Sequence, residues 1–600
     1  MKRMWLVIVS VLVVLAILYA VRLAERRASM GVASLLPRTT VAFAHLPDFR
    51  SSLEDWHRSD LYQIYREPAV QDFLKHPLQS PKPGGIAVRV QEFQDLEPTN
   101  AFVAVTSIAN DKPKLVAGFE YHCNQDVADR VIGNWRTKIN PSAKREQLEY
   151  QNHQIELFRQ STYSLALVRD NNWFFASNDP DELKAILDRA DGRNKDRNTS
   201  LVSDESYEDA MDAMPGSFAF LVYFQPKALA DRLAAVRQSL GQRDKDVILQ
   251  QIRSVCLTTR FNRGKLHDVL FVGMPKQEQG GELTRNSLGL ATRATILYAT
   301  SIVDFSRPAG LLFPTGDANS LGPAAQKISN ALAAAGITPA DWEAAFASEI
   351  SLLSDWPEQA RWPSFLITAA VKDTARARKI VDALTNGTGP NEQWQQTDRD
   401  GVHYWSLLSS SGWLSVKPVM ALSDRTWIAG LDMESVGAAM ARAAKPESGL
   451  ADTEPFHKAE SLVPTPTKFF AYVDPAQIYS RVDAAIRPFL FMGAMFSPAA
   501  NNVDLAKVPP PEAITKHLGP IVASQRYAGN GYIAESVGPL TLNQAGIGVA
   551  VLGAMGAMTY HRMNPMSGLK GLVPTPATQA PAGGTPASRP TPLLSPAPTP

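Results

Sequence analysis

Cysteine is nearly absent from this 600-residue sequence, which contains only Cys123 and Cys256. Two cysteines exclude a disulfide-rich scaffold and any zinc or iron–sulfur site that needs four thiolates. The pair could form one bridge or remain two separate thiols. Because free cysteine is commonly buried as a small apolar side chain, the sequence favours separate thiols.

An excess of positive charge is also missing. The chain has 60 lysines and arginines against 59 aspartates and glutamates, a formal net charge of +1. Proteins that bind nucleic acid usually carry a basic surplus or a basic face. We therefore expect no nucleic-acid partner.

The motifs of the common cofactor and catalytic sites are absent as well. The sequence contains no Walker-type phosphate loop, no strand-linked Gly-x-Gly-x-x-Gly, no His-Glu-x-x-His and no Gly-x-Ser-x-Gly. Its ten histidines are scattered without the spacing typical of metal ligands. We therefore predict no cofactor, no metal and no catalytic residue.

A long apolar run, residues 5–21, lies close to the N-terminus and is interrupted only by Ser10. As a helix it would measure about 26 Å, near the lower limit for crossing a bilayer. Lys2 and Arg3 precede the run, a pattern typical of an export signal, and the bulky Leu18 disfavours cleavage. We predict a single-pass protein of the inner (cytoplasmic) membrane, anchored in the lipid bilayer through 5–21, with its body outside the cytoplasm.

The composition changes twice near the C-terminus. Ala545–Met558 is apolar and rich in glycine, but fourteen residues would make only about 21 Å of helix. We expect a buried or interface-lying helix here and not a second span. Val573–Pro600 contains nine prolines, which cannot donate to helix or sheet, so a disordered tail is expected.

The body between these ends contains two stretches, about 255 residues apart, with similar segments in the same order. The matched segments are Thr40–Phe49 with Thr295–Phe305, Ile86–Phe93 with Ile350–Trp356, Phe102–Thr106 with Phe365–Ala369, Asn172–Asp179 with Arg425–Asp432, Phe218–Pro226 with Lys468–Pro475, and Thr259–Asp268 with Gln525–Glu535.

Each stretch reads as short strands alternating with amphipathic helices, so we predict an α+β fold built as a tandem duplication. Superposing the two units should bring Phe49 onto Phe305 and Trp173 onto Trp427. The predicted divisions are 1–34 (tip, anchor and basic segment), 35–284 (first unit), 285–544 (second unit), 545–572 (apolar segment) and 573–600 (tail).

Aspartates recur where strands of both units are expected to end. Asp48, Asp304 and Asp474 could be catalytic because they recur, but aspartate is also a preferred residue at the start of a helix. We favour helix capping. The cluster Asp179-Pro-Asp181-Glu182 also opens an expected helix, where carboxylates complement the helix dipole.

Several short segments resemble a bacterial family of exported proteins known only as a domain of unknown function. They are LLPRTTVAF at Leu35–Phe43, Leu46–Asp48, a following helix with Trp56, EPAVQDFL at Glu67–Leu74, and ITKHLGPIVASQRY at Ile514–Tyr527. The resemblance covers most of the body. It implies an anchored, extracytoplasmic α+β protein and supplies no activity and no catalytic residues.

The densest polar stretch runs from His517 to Glu535 and also contains Arg526 and Tyr527. These four residues could form a binding surface. Alternatively, Arg526 and Glu535 lie diagonally on one face of a hairpin and form a cross-strand ion pair. We favour the structural interpretation.

The expected function is a non-enzymatic interaction or binding module of the cell envelope, possibly with an envelope protein as partner. The alternatives are a hydrolase with an unfamiliar site and a carrier of an apolar ligand. A cleft joining a nucleophile to a base would favour the hydrolase, and a closed apolar cavity would favour the carrier.

Overall fold

The computed structural model describes residues 31–74, 90–109, 112–139, 143–160, 164–194, 197–226, 251–276, 281–303, 323–386, 393–408, 417–494 and 507–546. The expected membrane run 5–21, the proline-rich tail and most of Ala545–Met558 lie outside these residues, as do Asp304 and Phe305. Among the described residues, no helix is both long and apolar enough to cross a membrane.

In the described ranges, twenty strands form one sheet in which every pairing between neighbours is antiparallel. The first ten are β1 Ala42–Asp48, β2 Pro98–Ala109, β3 Lys112–Tyr121, β4 Lys144–Tyr150, β5 His153–Arg159, β6 Ser164–Asp170, β7 Trp173–Ser177, β8 Phe220–Phe224, β9 Ser254–Asn262 and β10 Lys265–Gly273. The second ten are β11 Thr295–Ile302, β12 Phe346–Asp355, β13 Leu366–Val371, β14 Trp394–Arg399, β15 Val402–Leu407, β16 Val419–Leu422, β17 Thr426–Gly430, β18 Phe469–Val473, β19 Ile521–Ala528 and β20 Gly531–Gly538.

Fourteen α-helices with assigned bounds accompany the sheet in the described part of the chain. They are α1 Phe49–His57, α2 Asp60–Arg66, α3 Pro68–Leu74, α4 Val90–Gln94, α5 Gln125–Lys138, α6 Pro180–Ala190, α7 Glu205–Ala213, α8 Pro323–Ala334, α9 Pro339–Ala345, α10 Thr374–Asn386, α11 Met433–Ala444, α12 Glu454–Glu460, α13 Pro475–Ala494 and α14 Pro511–Thr515. The predicted α+β class is confirmed.

The two halves of the sheet have the same strand order. The first half runs β4-β5-β6-β7-β3-β2-β1-β8-β9-β10. The second half runs β14-β15-β16-β17-β13-β12-β11-β18-β19-β20. The halves join where β10 pairs with β20.

Side chains alternate between two faces of the sheet, and helices cover both faces. In β7, Phe174 packs in the cluster that includes helix α5, while Phe175 packs in the cluster that includes α6 and α7. In β17, Trp427 packs in the cluster with α10, while Ile428 packs in the cluster with α11 and α12. Trp427 therefore occupies the position of Phe174, and the expected match with Trp173 is displaced by one residue.

Two of the predicted segment matches are wrong. The sequence match pairs Ile86–Phe93 with β12, but Val90–Gln94 is helix α4, and the strand that holds the place of β12 in the first half is β2. Phe102–Thr106 lies in β2, whereas Phe365–Ala369 falls largely in β13, whose place in the first half belongs to β3. Apolar runs of similar composition caused both errors, the first between a helix and a strand and the second between strands at neighbouring places in the sheet.

Helix capping by the strand-end aspartates is confirmed where the structure describes them. Asp48 caps α1 by accepting the backbone N–H of Ser51 at 3.0 Å, and Asp474 accepts that of Gln477 at 2.9 Å at the start of α13. Asp179 caps α6, which opens with Pro180. These aspartates satisfy helix N–H groups that have no partner within the helix.

Candidate functional site

Two of the four predicted binding residues belong to a ladder of polar side chains across β9, β10, β20 and β19. Arg526 Nη1 donates to Glu535 Oε1 at 2.6 Å. His267 Nε2 lies 3.1 Å from Glu535 Oε2, and the Arg260 guanidinium lies 3.0 Å from His267 Nδ1. The order across the junction of the halves is therefore Arg260, His267, Glu535, Arg526, which we call the junction ladder.

The junction ladder fixes the tautomer of His267. Because a guanidinium can only donate, His267 Nδ1 must accept from Arg260 and carries no proton. The proton therefore lies on Nε2, which donates to Glu535. The side chains of His267 and Glu535 are only 6% and 12% exposed, so protonating Nδ1 would place two donors face to face in a buried position.

Glu535 is held as a carboxylate by its neighbours. Burial alone would raise its pKa, but the hydrogen bonds from His267 and Arg526 hold the pKa below its usual range. All polar atoms of this carboxylate face protein donors, which favours the structural interpretation of Arg526 and Glu535.

The other two predicted residues lie apart from the junction ladder. His517 Nε2 lies 2.7 Å from Glu67 Oε1, and Lys516 Nζ lies 2.9 Å from the same oxygen. Tyr527 packs its ring edge-on against Tyr532 with centroids 5.0 Å apart. The four predicted residues therefore do not converge on one cleft.

The sequence match pairs Asp268 with Glu535, but Asp268 lies on the opposite face of the sheet. Both hairpins close with a two-residue turn, between Asn262 and Lys265 in the first half. Counting from these turns makes Val269 the counterpart of Glu535. Asp268 is fully buried and accepts from Thr541 at 2.5 Å and Gln544 at 3.2 Å.

A cavity of about 770 Å³ opens in the second half, beside β12 and β13; we call it the β12 cavity. Six hydroxyl side chains line it: Thr284, Ser287, Ser348, Ser351, Thr368 and Thr426. Charged groups in its wall are Glu282, Glu343, Glu349 and Lys372, and apolar ones include Leu290, Ile302 and Phe346.

A chain of hydroxyl groups runs beneath the β12 cavity to Glu349. Ser287 Oγ lies 3.0 Å from Tyr298 Oη and 2.6 Å from Ser351 Oγ. Ser351 Oγ lies 2.8 Å from Thr300 Oγ1, which lies 3.0 Å from Glu349 Oε1.

Glu349 also accepts hydrogen bonds from residues that precede β11. Its carboxylate accepts the backbone N–H and the hydroxyl of Thr284 at 2.7 and 2.8 Å, and the N–H of Arg285 at 2.9 Å. Four donors thus surround the carboxylate at the end of the hydroxyl chain.

In the first half, aromatic rings stand where the β12 cavity lies in the second. Ser351 lies opposite Thr368, and Phe102 lies opposite Gly118 at the same place in the strand order. A Cβ at Gly118 would come within 2.8 Å of the Phe102 ring, so this position is tightly filled.

Trp173 and its neighbours complete the packing in the first half. Trp173 stacks on Phe175 with centroids 5.2 Å apart, and Phe102 lies 6.5 Å from Trp173. Trp173 follows the two-residue turn before β7, and the residue at the corresponding point of β17 is Thr426. Serine and threonine therefore replace two rings.

The sequence reasoning missed the β12 cavity because it paired Phe102 with Phe365. A signal was available in the helix caps. Asp179 and Asp432 both cap helices after the last strand of a hairpin, and counting back from them aligns Trp173 with Thr426. Threonine in place of tryptophan at that point indicates the half that contains the cavity.

One group in the described part of the chain has the spacing of metal ligands. His153 Nε2 lies 2.8 Å from Asp191 Oδ2, and its Nδ1 lies 3.6 Å from Asp170 Oδ1. Arg193 also contacts Asp191. A guanidinium beside the ligand carboxylate opposes a cation there, so the contacts among these side chains account for the cluster without a metal ion.

No protein-family model matches this chain, and no curated protein matches it. Two solved structures, crystal forms I and III of a protein named TP0453, are similar to part of it with a TM-score of 0.22 each. Their sequence identities are 8% and 7%, and the similarity covers 41% of this chain and 80% and 81% of theirs.

The two thiols are free: Cys256 is buried in β9, and Cys123 is half-buried. Burial raises the pKa of both thiols, most strongly that of Cys256. A thiol held protonated by burial is a poor nucleophile, which fits a packing role.

Proposed function

We propose that this protein is a membrane-anchored, extracytoplasmic binding module without enzymatic activity, in which the second half holds a small polar ligand in the β12 cavity. The observation that carries the proposal is the contrast between the halves. One fills this position with aromatic rings, and the other leaves it open and lines it with hydroxyls. Leaving out a buried ring forfeits on the order of 2 kcal/mol, a loss typical of functional sites.

We also propose that the halves arose by tandem duplication. The shared strand order supports this, as does one contact that recurs without any sequence motif. Arg189 on α6 donates to the backbone oxygen of Leu35 at 3.3 Å, and Arg442 on α11 donates to that of Leu290 at 2.8 Å. A duplicated scaffold explains how one half can keep the packed arrangement while the other diverges.

The β12 cavity favours binding over the two alternatives. A hydrolase would need a nucleophile beside a base, but the hydroxyls of Ser287 and Ser351 end on Glu349, whose oxygens accept four hydrogen bonds. A carrier of an apolar ligand would need a closed apolar enclosure, whereas this cavity is partly open and its wall mixes charged and hydroxyl side chains with apolar ones.

The test compares variants that restore the first half's side chains. Thr426→Trp, which introduces the counterpart of Trp173, should fill the β12 cavity from its rim, and Ser351→Phe should fill it from its floor. Thr397→Trp, on an exposed face of β14, is the matched control. The probes are glucosamine, glucose and glucuronate, which share a ring size and differ in charge.

Binding to the full-length chain in detergent is measured by saturation-transfer NMR and titration calorimetry. We expect at least one probe to bind, with at least tenfold weaker affinity in Thr426→Trp and unchanged affinity in Thr397→Trp. Binding that survives both cavity-filling variants, or no binding of any probe, would overturn the proposal. Thermal melting identifies a variant that fails to fold, and Thr426→Trp, being at a half-buried position, carries the test if Ser351→Phe does not fold.

A further inference from the structure

Four of the six hydroxyl groups that line the β12 cavity already donate hydrogen bonds to protein oxygens. The direction of the hydroxyl chain follows from its end, because a carboxylate only accepts hydrogen bonds. Thr300 must donate to Glu349, so it accepts from Ser351, and Ser351 accepts in turn from Ser287. Tyr298 then donates to Ser287.

The burial of Tyr298 agrees with this direction. Burial raises the pKa of Tyr298 to about 12, so the phenol keeps its proton and can donate it. Every hydroxyl in the chain from Tyr298 to Thr300 therefore donates a hydrogen bond to another protein oxygen.

Two further hydroxyls in the cavity wall are committed in the same way. Thr284 Oγ1 donates to Glu349 at 2.8 Å, and Thr368 Oγ1 donates to the backbone oxygen of Trp427 at 2.9 Å. Thr284, Ser287, Ser351 and Thr368 can therefore offer a ligand only lone pairs, although serine and threonine usually both donate and accept.

The charged side chains in the cavity wall also favour a ligand that donates hydrogen bonds. Three carboxylates, Glu282, Glu343 and Glu349, stand against the single ammonium of Lys372. Lys372 Nζ donates to the backbone oxygen of Glu343 at 3.0 Å, which directs one of its protons to the protein. The four committed hydroxyls, together with this excess of carboxylates, match a ligand that brings its own protons and a positive charge.

We propose that the β12 cavity selects a small organic ammonium, an amine-bearing ligand, and rejects small carboxylates. This inference rests on the proposed function of the β12 cavity as a binding site. It goes further by naming the chemical class, since the ammonium N–H groups would donate to the lone pairs of Ser287, Ser351 and Thr368.

The three probes separate this inference from the proposed function. Glucosamine should bind at least tenfold more tightly than glucose, and glucuronate should not bind detectably, at pH 7 and low salt. Glucose or glucuronate binding as tightly as glucosamine, with loss in Thr426→Trp, would overturn the ammonium preference and leave the binding function standing. No binding that is sensitive to Thr426→Trp would overturn both.

Two variants of the hydroxyl chain test the physical cause. Thr300→Val removes the acceptor of Ser351, whose proton can then turn into the cavity, so the preference for glucosamine over glucose should fall at least threefold. Tyr298→Phe removes one hydroxyl too but leaves Ser287 with an additional free lone pair, so the preference should persist. Equal effects of the two variants, or no effect of Thr300→Val, would overturn the direction assigned to the hydrogen bonds of the hydroxyl chain. If Thr300→Val does not fold, the comparison of the three probes on the wild-type protein still tests the ammonium preference.

Discussion

Val269 on β10 and Glu535 on β20 pair directly across the junction of the halves, and each lies four residues after the residue that closes its own two-residue turn. Equivalent positions therefore meet at this point. Two glutamates here would place like charges opposite each other. With valine on one side, a single carboxylate accepts hydrogen bonds from His267 in one half and Arg526 in the other.

Replacing this carboxylate should weaken the junction. In Glu535→Gln, the amide nitrogen must face either Arg526 or His267 Nε2–H, both of which are donors, so one buried group loses its partner. We expect the free energy of unfolding to fall by about 1–3 kcal/mol in urea at pH 7. Glu454→Gln, at an exposed ion pair with Lys458, should change it by less than about 0.5 kcal/mol.

The same pair of variants should differ in acid. The pKa of Glu535 is lowered in the folded protein, so its contribution to stability is present above the usual glutamate range and is lost as the pH falls through the folded pKa. Glu535→Gln should lose this part of the acid dependence. An unchanged profile would mean that the junction ladder contributes no pH-dependent stability.

His45 should be a source of acid sensitivity in the first half. Burial lowers its pKa to about 4, against the raising effect of the bond to Asn100, and its Nε2 has no hydrogen-bond partner among the described residues. Because the unfolded chain binds the proton more tightly, stability is full above about pH 6.5 and falls by up to about 3 kcal/mol toward pH 4.

His45→Gln should flatten this part of the stability profile between pH 4 and 6.5, measured by urea unfolding at closely spaced pH values. His57→Gln, at an exposed position at the end of α1, is the control and should keep the wild-type slope. If both variants keep that slope, His45 is accessible to protons in the folded state.

Asp268 should change stability with pH in the opposite direction to His45. Burial raises its pKa despite hydrogen bonds from Thr541, Thr259 and Gln544, so its contribution is full below the usual aspartate pKa and is lost as the pH rises through the folded pKa. Asp268→Asn should remove that loss, because both hydroxyls and the glutamine amide can reorient toward an asparagine. A variant that is less stable than the wild type at pH 7 by more than about 1 kcal/mol would contradict this.

The anchoring proposed from residues 5–21 can be tested by deletion. A chain without residues 2–27, exported behind a cleavable signal, should be released as soluble protein, because Ala545–Met558 is too short to span comfortably. Retention in the membrane after carbonate washing would make Ala545–Met558 an anchor. A phosphatase fused after Gly571 of the intact chain should be active, and an inactive fusion would contradict the proposed orientation.

The sequence predicted the elements better than their register. Asp48, Asp179 and Asp474 were recognisable as helix caps because capping depends on a residue and its immediate neighbours. The match of Trp173 to Trp427 failed by one residue, and a shift of one residue in a strand moves a side chain to the other face. Register is set by pairing across the sheet, which local sequence does not contain.

The junction ladder and the β12 cavity lay beyond prediction for a related reason. His267 and Glu535 are 268 residues apart and meet only because β10 pairs with β20. The β12 cavity exists because Ser351 and Thr426 stand where the first half has aromatic rings. This difference is visible only when the two halves are compared strand by strand. Sequence reasoning found Arg526 and Glu535 because their contact lies within one hairpin.

The pairing of β10 with β20 also bears on what either half could do alone. Cut at the junction, the first half would end on β10, whose unpaired N–H and C=O groups would be free to bond with any strand of matching register. Because β10 and β20 stand at the same place in their halves, the natural partner for a free β10 is a second copy of β10. A chain of one half would therefore assemble as a symmetric dimer, and that association would depend on protein concentration. In the full chain the two strands pair within one molecule, so the pairing does not depend on concentration.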